Sequence, residues 1–185
     1  MRKYLEKKMA FLPLPVVIIG TYDKENRPNA INAAWASQYD FNEVVISLSK
    51  HKTTENLEIN KEFTVSFATK STLEISDYFG IASGNNEDKI KKANVSISKA
   101  RSVNAPIILE YPLTLECKVK SFIDGILIGE VVDISVDSDY LNKDWSINVD
   151  KMEIITFDSL SNSYRVLGEK VGCAFKDGLK IKDRG

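Results

Sequence analysis

Between Leu113 and Val119 the side chains alternate without a break: Leu113, Leu115, Cys117 and Val119 are apolar, while Thr114, Glu116 and Lys118 are polar. A period of two places one set on each face of an extended chain, so this stretch predicts a half-buried β-strand. Asp124-Gly125 follows, a pair suited to the positive-φ positions of a tight turn, and Ile126–Val136 reads as the returning strand. Glu62–Ala68 repeats the alternation with Phe63, Val65 and Phe67. Val16–Tyr22 is apolar and β-branched, and the charged turn Asp23–Pro28 predicts that it pairs as a hairpin with the segment that follows. Glu43–Ser49, Ile154–Phe157 and Tyr164–Leu167 complete the predicted strands.

Helical spacing is confined to short stretches. Thr53–Asn60 has a hydroxyl residue placed to cap it, and Ser71-Thr72-Leu73-Glu74 spells a capping box. The helix so opened is expected to stop near Gly80, with that glycine in the left-handed position, and polar Asn85–Asn94 predicts a short exposed helix. Gln38–Asn42 reads as a loop and Asp177-Gly178 as the start of a polar tail. Many short strands with a few short helices predict a mainly β fold, a closed or partly closed β-barrel with helical decorations.

Composition narrows the function. With 185 residues, 43% of them apolar, the chain can bury one sizeable core, and residues 1–185 read as a single domain. Twenty-five basic residues against 26 acidic ones leave no broad basic field for nucleic acid or anionic lipid. The apolar run Val16–Ile19 is too short to span a bilayer, and the charged Met1–Lys8 segment lacks the apolar stretch of a signal peptide, so a cytoplasmic, reducing setting is expected. Cys117 lies on the apolar face of its strand and reads as core, with no partner implied for the distant Cys173. A single histidine, His51, offers neither a metal cluster nor a Cys-His pair.

One segment defies strand propensity. Pro28–Ser37, PNAINAAWAS, carries two asparagines, four alanines and a tryptophan where bulky β-branched residues are favoured. Small residues beside amides suit a flat polar ring lying close. This segment follows PVVIIGTYD and precedes SLSKHKTTEN, DYFGIASG and Asp88-Lys89. In that order, from Pro13 to Gly178, the chain resembles the flavin reductase-like, FMN-binding split-barrel family, and within it the flavoredoxin branch. DYFGIASG with its following Asp-Lys is the most specific piece. The resemblance implies a Greek-key split barrel that pairs as a homodimer with flavin close to the interface. It also implies an oxidoreductase passing electrons through bound FMN, from NADH, NADPH or a redox protein to an acceptor. The alternative is a non-enzymatic carrier or sensor with the same pocket. The Gly-rich fingerprint of a dinucleotide-binding domain is absent from the sequence, which such reductases do not need.

FMN requires an anion site, hydrogen-bond partners for a pyrimidine edge and an apolar wall. Ser47, Ser49, Lys50, Lys52, Thr53 and Thr54 gather where a strand runs into a helix N-terminus, which favours phosphate; the simpler reading makes Thr53 a cap and the lysines solvated. Ser47 and Ser49, flanking Leu48, would share a strand face. Asn29 and Asn32 can each donate and accept, but residues three apart face opposite sides, so either a bulge intervenes or only one reaches the ring. Backbone N–H groups from Asn32 through Ala33 to Trp35 are equal candidates. Trp35 fits a ring shield or a core position equally well. By resemblance, Phe79, Gly80 and Ile81 form a loop against the flavin, and Lys89 reaches the flavin or its phosphate. Small Ala33, Ala34 and Ala36 could leave a face open for nicotinamide. Gln38–Asn42 departs from the proline-containing turn common in the family, which bears on the choice of partner.

Overall fold

A computed structural model describes residues 1–4 and 10–182; residues 5–9, inside the charged N-terminal segment, and 183–185, closing the polar tail, lie outside the described residues. The strands are β1 (Leu14–Pro15), β2 (Val17–Tyr22), β3 (Pro28–Ala33), β4 (Ala36–Asp40), β5 (Glu43–Ser47), β6 (Glu62–Phe67), β7 (Ile97–Lys99), β8 (Pro106–Ile108), β9 (Leu113–Ile123), β10 (Ile126–Val136), β11 (Ile155–Asp158) and β12 (Ser163–Val166). The helices are α1 (Lys52–Asn60), α2 (Leu73–Ile81), α3 (Lys89–Ala93), α4 (Val149–Met152) and α5 (Leu179–Lys182). A seven-stranded antiparallel sheet, ordered β3-β2-β6-β9-β10-β5-β4, curls into a half-barrel, as the mainly β expectation required. Two small sheets, β1-β11-β12 and β7-β8, flank it.

The long hairpin forms where the turn pair predicts it, but β9 is not half-buried: its polar residues Thr114 and Glu116 are buried as well as Cys117. Asp124 and Gly125 take φ of 51° and 79°, and β9 pairs with β10 from Ile123↔Ile126 to Leu113↔Val136, interrupted by two bulges. Central β2 explains why VVII does not alternate: Val17 and Ile19 join a core of Ile31, Phe63, Val65, Cys117 and Leu127, while Val16 and Ile18 join Ala30, Phe79, Ile90 and Ile108 on the opposite face. A strand buried on both sides reads as a continuous apolar run. Cys117 is wholly buried, as its place in the alternation predicts.

Four further local expectations are corrected. Of the expected loop Gln38–Asn42, Gln38–Asp40 belongs to edge strand β4, which pairs with β5 and is exposed along most of its length, so neither face shows an apolar pattern. The capping box begins at Thr69 rather than Ser71, where the Thr69 N–H donates to Thr72 Oγ1 at 2.9 Å and opens a 3₁₀ turn that leads into α2. Gly80 is helical and α2 runs on to Ile81, with Ala82 extended beyond it. The third helix is also shorter and less exposed than expected, with Lys89 and Ile90 buried. Among the described residues no helix is long and apolar enough to cross a membrane.

Candidate functional site

Strands β5 and β6 are not neighbours, so the chain crosses between them through α1, whose first turn comes to rest beside β3. His51 caps this helix: its N–H donates to Thr54 Oγ1 at 3.0 Å, and the Thr54 N–H donates to the His51 carbonyl at 3.0 Å. The capping hydroxyl is therefore that of Thr54. Thr53 is free for another task, and its Oγ1 accepts a hydrogen bond from Asn29 Nδ2 at 2.8 Å. Lys52 and Thr53 sit at the first two helical positions, where backbone N–H groups lack an intrahelical acceptor and the helix dipole favours an anion.

The loop after α2 closes on the same place. A Cβ on Gly84 would stand 2.2 Å from Asn29 Oδ1 and 3.4 Å from Lys52 Cβ, so only glycine lets the backbone approach this closely. Asn29, Lys52, Thr53 and Gly84 thus form one cluster drawn from three segments. Gly84 lies within DYFGIASG, but the sequence does not reveal its part here, because nothing local shows which strand the loop meets.

Asn32 points the other way, as the three-residue spacing requires without a bulge. Its Nδ2 donates to the Ser76 carbonyl of α2 at 2.8 Å, and Gly80 packs against its side chain. Both asparagine amides are therefore engaged by protein partners. Phe79 is fully buried among Ala30 and Ile90, so its side chain is core, whereas Ile81 is 79% exposed. Lys89 is not a solvated lysine: it is 3% exposed, and its Nζ donates to the carbonyls of Phe79 (3.2 Å) and Ala82 (3.3 Å). These are C-terminal carbonyls of α2, which attract a cation. Burial lowers its pKa to about 8, partly opposed by Glu87.

Trp35 is 67% exposed, which removes the core alternative; its carbonyl accepts the Ser47 N–H at 2.8 Å, tying the β3–β4 connection to the end of β5. Ser47 is half-buried, but β5 ends there, so Ser49 lies exposed beyond the strand and the shared-face argument for the two serines does not hold. Leu48 is buried in the core beside Ala33. A cavity of about 1000 Å³ lies elsewhere, on the concave face of the half-barrel, lined by Val17, Ile46, Val65, Leu115 and Ile134 among others; of the residues singled out in the sequence it takes in Ala36 and part of Gln38–Asn42, but none of those assigned to FMN. Among the described residues no group of His, Cys, Asp and Glu could hold a metal ion.

Known proteins share this fold. Residues 9–149 match the flavin reductase like domain family. The flavoredoxin of Desulfovibrio vulgaris (Miyazaki F) is 32% identical, with a TM-score of 0.92 over 96% of this chain and 100% of that one. The flavoredoxin from Methanosarcina acetivorans is 25% identical, with a TM-score of 0.88 over 98% and 100%. An FMN-binding domain of a flavin reductases-like enzyme from Shewanella baltica OS155, 19% identical with a TM-score of 0.77 over 86% and 88%, shares the fold. The chain belongs to the flavin reductase-like FMN-binding family, in its flavoredoxin branch.

Proposed function

We propose that this protein is an FMN-dependent oxidoreductase that passes electrons through the bound cofactor, from NADH, NADPH or a redox protein to an acceptor. The observation that carries the reading is the convergence of Asn29, Lys52, Thr53 and Gly84 on the first turn of α1. Donors there suit a phosphate: two helical N–H groups, the Lys52 ammonium and a hydroxyl whose lone pair is taken by Asn29, leaving its proton to give. The backbone from Asn32 to Trp35, the exposed Trp35 ring and the C-terminal end of α2 at Gly80 and Ile81 would flank the isoalloxazine. Bound FMN supplies hydride acceptance at N5, and the protein supplies orientation and electrostatics. Lys89 holds the end of α2 in place. A protein acid or base is not required for that transfer.

A second copy of the chain would complete the molecule as a homodimer, covering the concave apolar face and the unpaired β4 edge, where Phe41 is 95% and Ile134 53% exposed.

The test is an anaerobic visible spectrum of the purified protein with FMN, followed by NADH and NADPH in turn. Flavin that binds and is bleached by nicotinamide establishes a reductase and its donor. Flavin that binds and stays yellow assigns electron supply to a protein, or makes the chain a carrier or sensor. A chain that refuses FMN overturns the reading.

A further inference from the structure

Helix α1 is fastened to the sheet by polar side chains. Thr53, Asn56 and Asn60 lie three and four residues apart on one face. Thr53 accepts from Asn29, Asn56 Nδ2 donates to Thr21 Oγ1 at 3.0 Å, and Asn60 Nδ2 donates to the Tyr22 carbonyl. Thr21 and Asn29 are directly opposite each other across β2 and β3, so the first two bonds are adjacent rungs of one ladder. Thr21 and Asn56 are wholly buried, and among the described residues Asn56 Oδ1 has no hydrogen-bond partner.

An amide buried with an unpaired acceptor carries a desolvation cost that a leucine would not. Stability is therefore not what this ladder provides. Apolar contacts tolerate small slides and rotations of a helix, whereas directional bonds to neighbouring residues of a hairpin specify one register. The register so fixed belongs to the first turn, one helical turn from Asn56. That turn presents the N–H groups and the Thr53 hydroxyl.

We propose that Asn56 and Thr21 are positioning residues for the anion site at the N-terminus of α1, holding Thr53 and the first-turn N–H groups in the geometry that accepts a phosphate monoester. The inference rests on the reading of that turn as the FMN phosphate site. The positioning residues touch neither phosphate nor ring and act through Thr53.

The experiment is a fluorescence titration of the full chain with FMN and with riboflavin, which lacks the phosphate, for the wild type, Asn56→Leu, Thr21→Val and the double variant. Each single variant is expected to lower FMN affinity about tenfold while riboflavin affinity is unchanged. The double variant is expected to be no weaker than the weaker single one, because the two residues act as a pair. Thr21→Val keeps the side-chain volume and carries the test if Asn56→Leu does not fold. Equal losses for both flavins, or an unchanged FMN affinity, overturn the inference while leaving the phosphate reading standing. A wild type that does not favour FMN over riboflavin overturns the phosphate reading and this inference with it.

Discussion

Lys89 shows how far one residue's surroundings can depart from its sequence context. Beside Lys91 and Lys92 it reads as one of a solvated set, yet it is buried, with its Nζ donating to two carbonyl oxygens and lying over the Phe79 ring. Its pKa of about 8 lies below the usual value near 10.5, so between those values the unfolded chain holds a proton that the folded chain has released. Stability then rises as pH climbs from 8 toward 10.5, and below 8 the full desolvation cost is present. The gain reaches about 3 kcal/mol at most. Urea melts at pH 7.5 and pH 10 should show a larger gain for the wild type than for Lys89→Met; identical gains would refute the assignment. Thr53 and Lys52 carry a separate expectation. Replacing both with alanine should weaken FMN binding by about 2 kcal/mol, since charge-assisted and hydroxyl bonds are lost together. Unchanged affinity in a fluorescence titration would remove the phosphate from α1.

Among the elements, the β9–β10 hairpin was legible because everything that forms it is local: an alternating strand, a two-residue turn of the right type and a return strand. The bulge in it was not. Val119 pairs with Gly129 and Ser121 with Ile128, leaving Lys120 unmatched and free to reach Glu43. Gly129 is needed there because a Cβ would lie 2.4 Å from the Phe63 ring. Gly129→Ala should destabilise the fold by about 1–3 kcal/mol through overpacking. The urea midpoint would fall with its m-value unchanged; an unmoved midpoint would show that Phe63 has room to shift. Strand β4 escaped notice for the opposite reason. It sits at a sheet edge with both faces largely in water, and its ASQYD sequence has no apolar period to report.

At the scale of the molecule, the half-barrel leaves an apolar concavity of about 1000 Å³ and an unpaired edge, and the proposed homodimer would cover both. Ile134, on that face and 53% exposed, is the residue to alter. Ile134→Asp should halve the mass measured by sedimentation velocity, because an unpaired carboxylate cannot be buried at an apolar contact without a large cost. A wild type that sediments as a monomer, or a variant that stays dimeric, would place the contact elsewhere.

The hairpins, the mainly β class, the burial of Cys117 and the family can be read from the chain alone. These depend on periodicity, turn chemistry and the ordered motifs from Pro13 to Gly178, all written in residues close along the chain. That Asn29 serves Thr53, that Asn32 braces α2, that Phe79 is core and that Lys89 caps a helix emerges from the three-dimensional packing. The motifs nominated all of these residues for flavin. An amide or an ammonium has the same donors whatever it faces, and which acceptor it meets depends on strand order and helix placement, which no local pattern encodes.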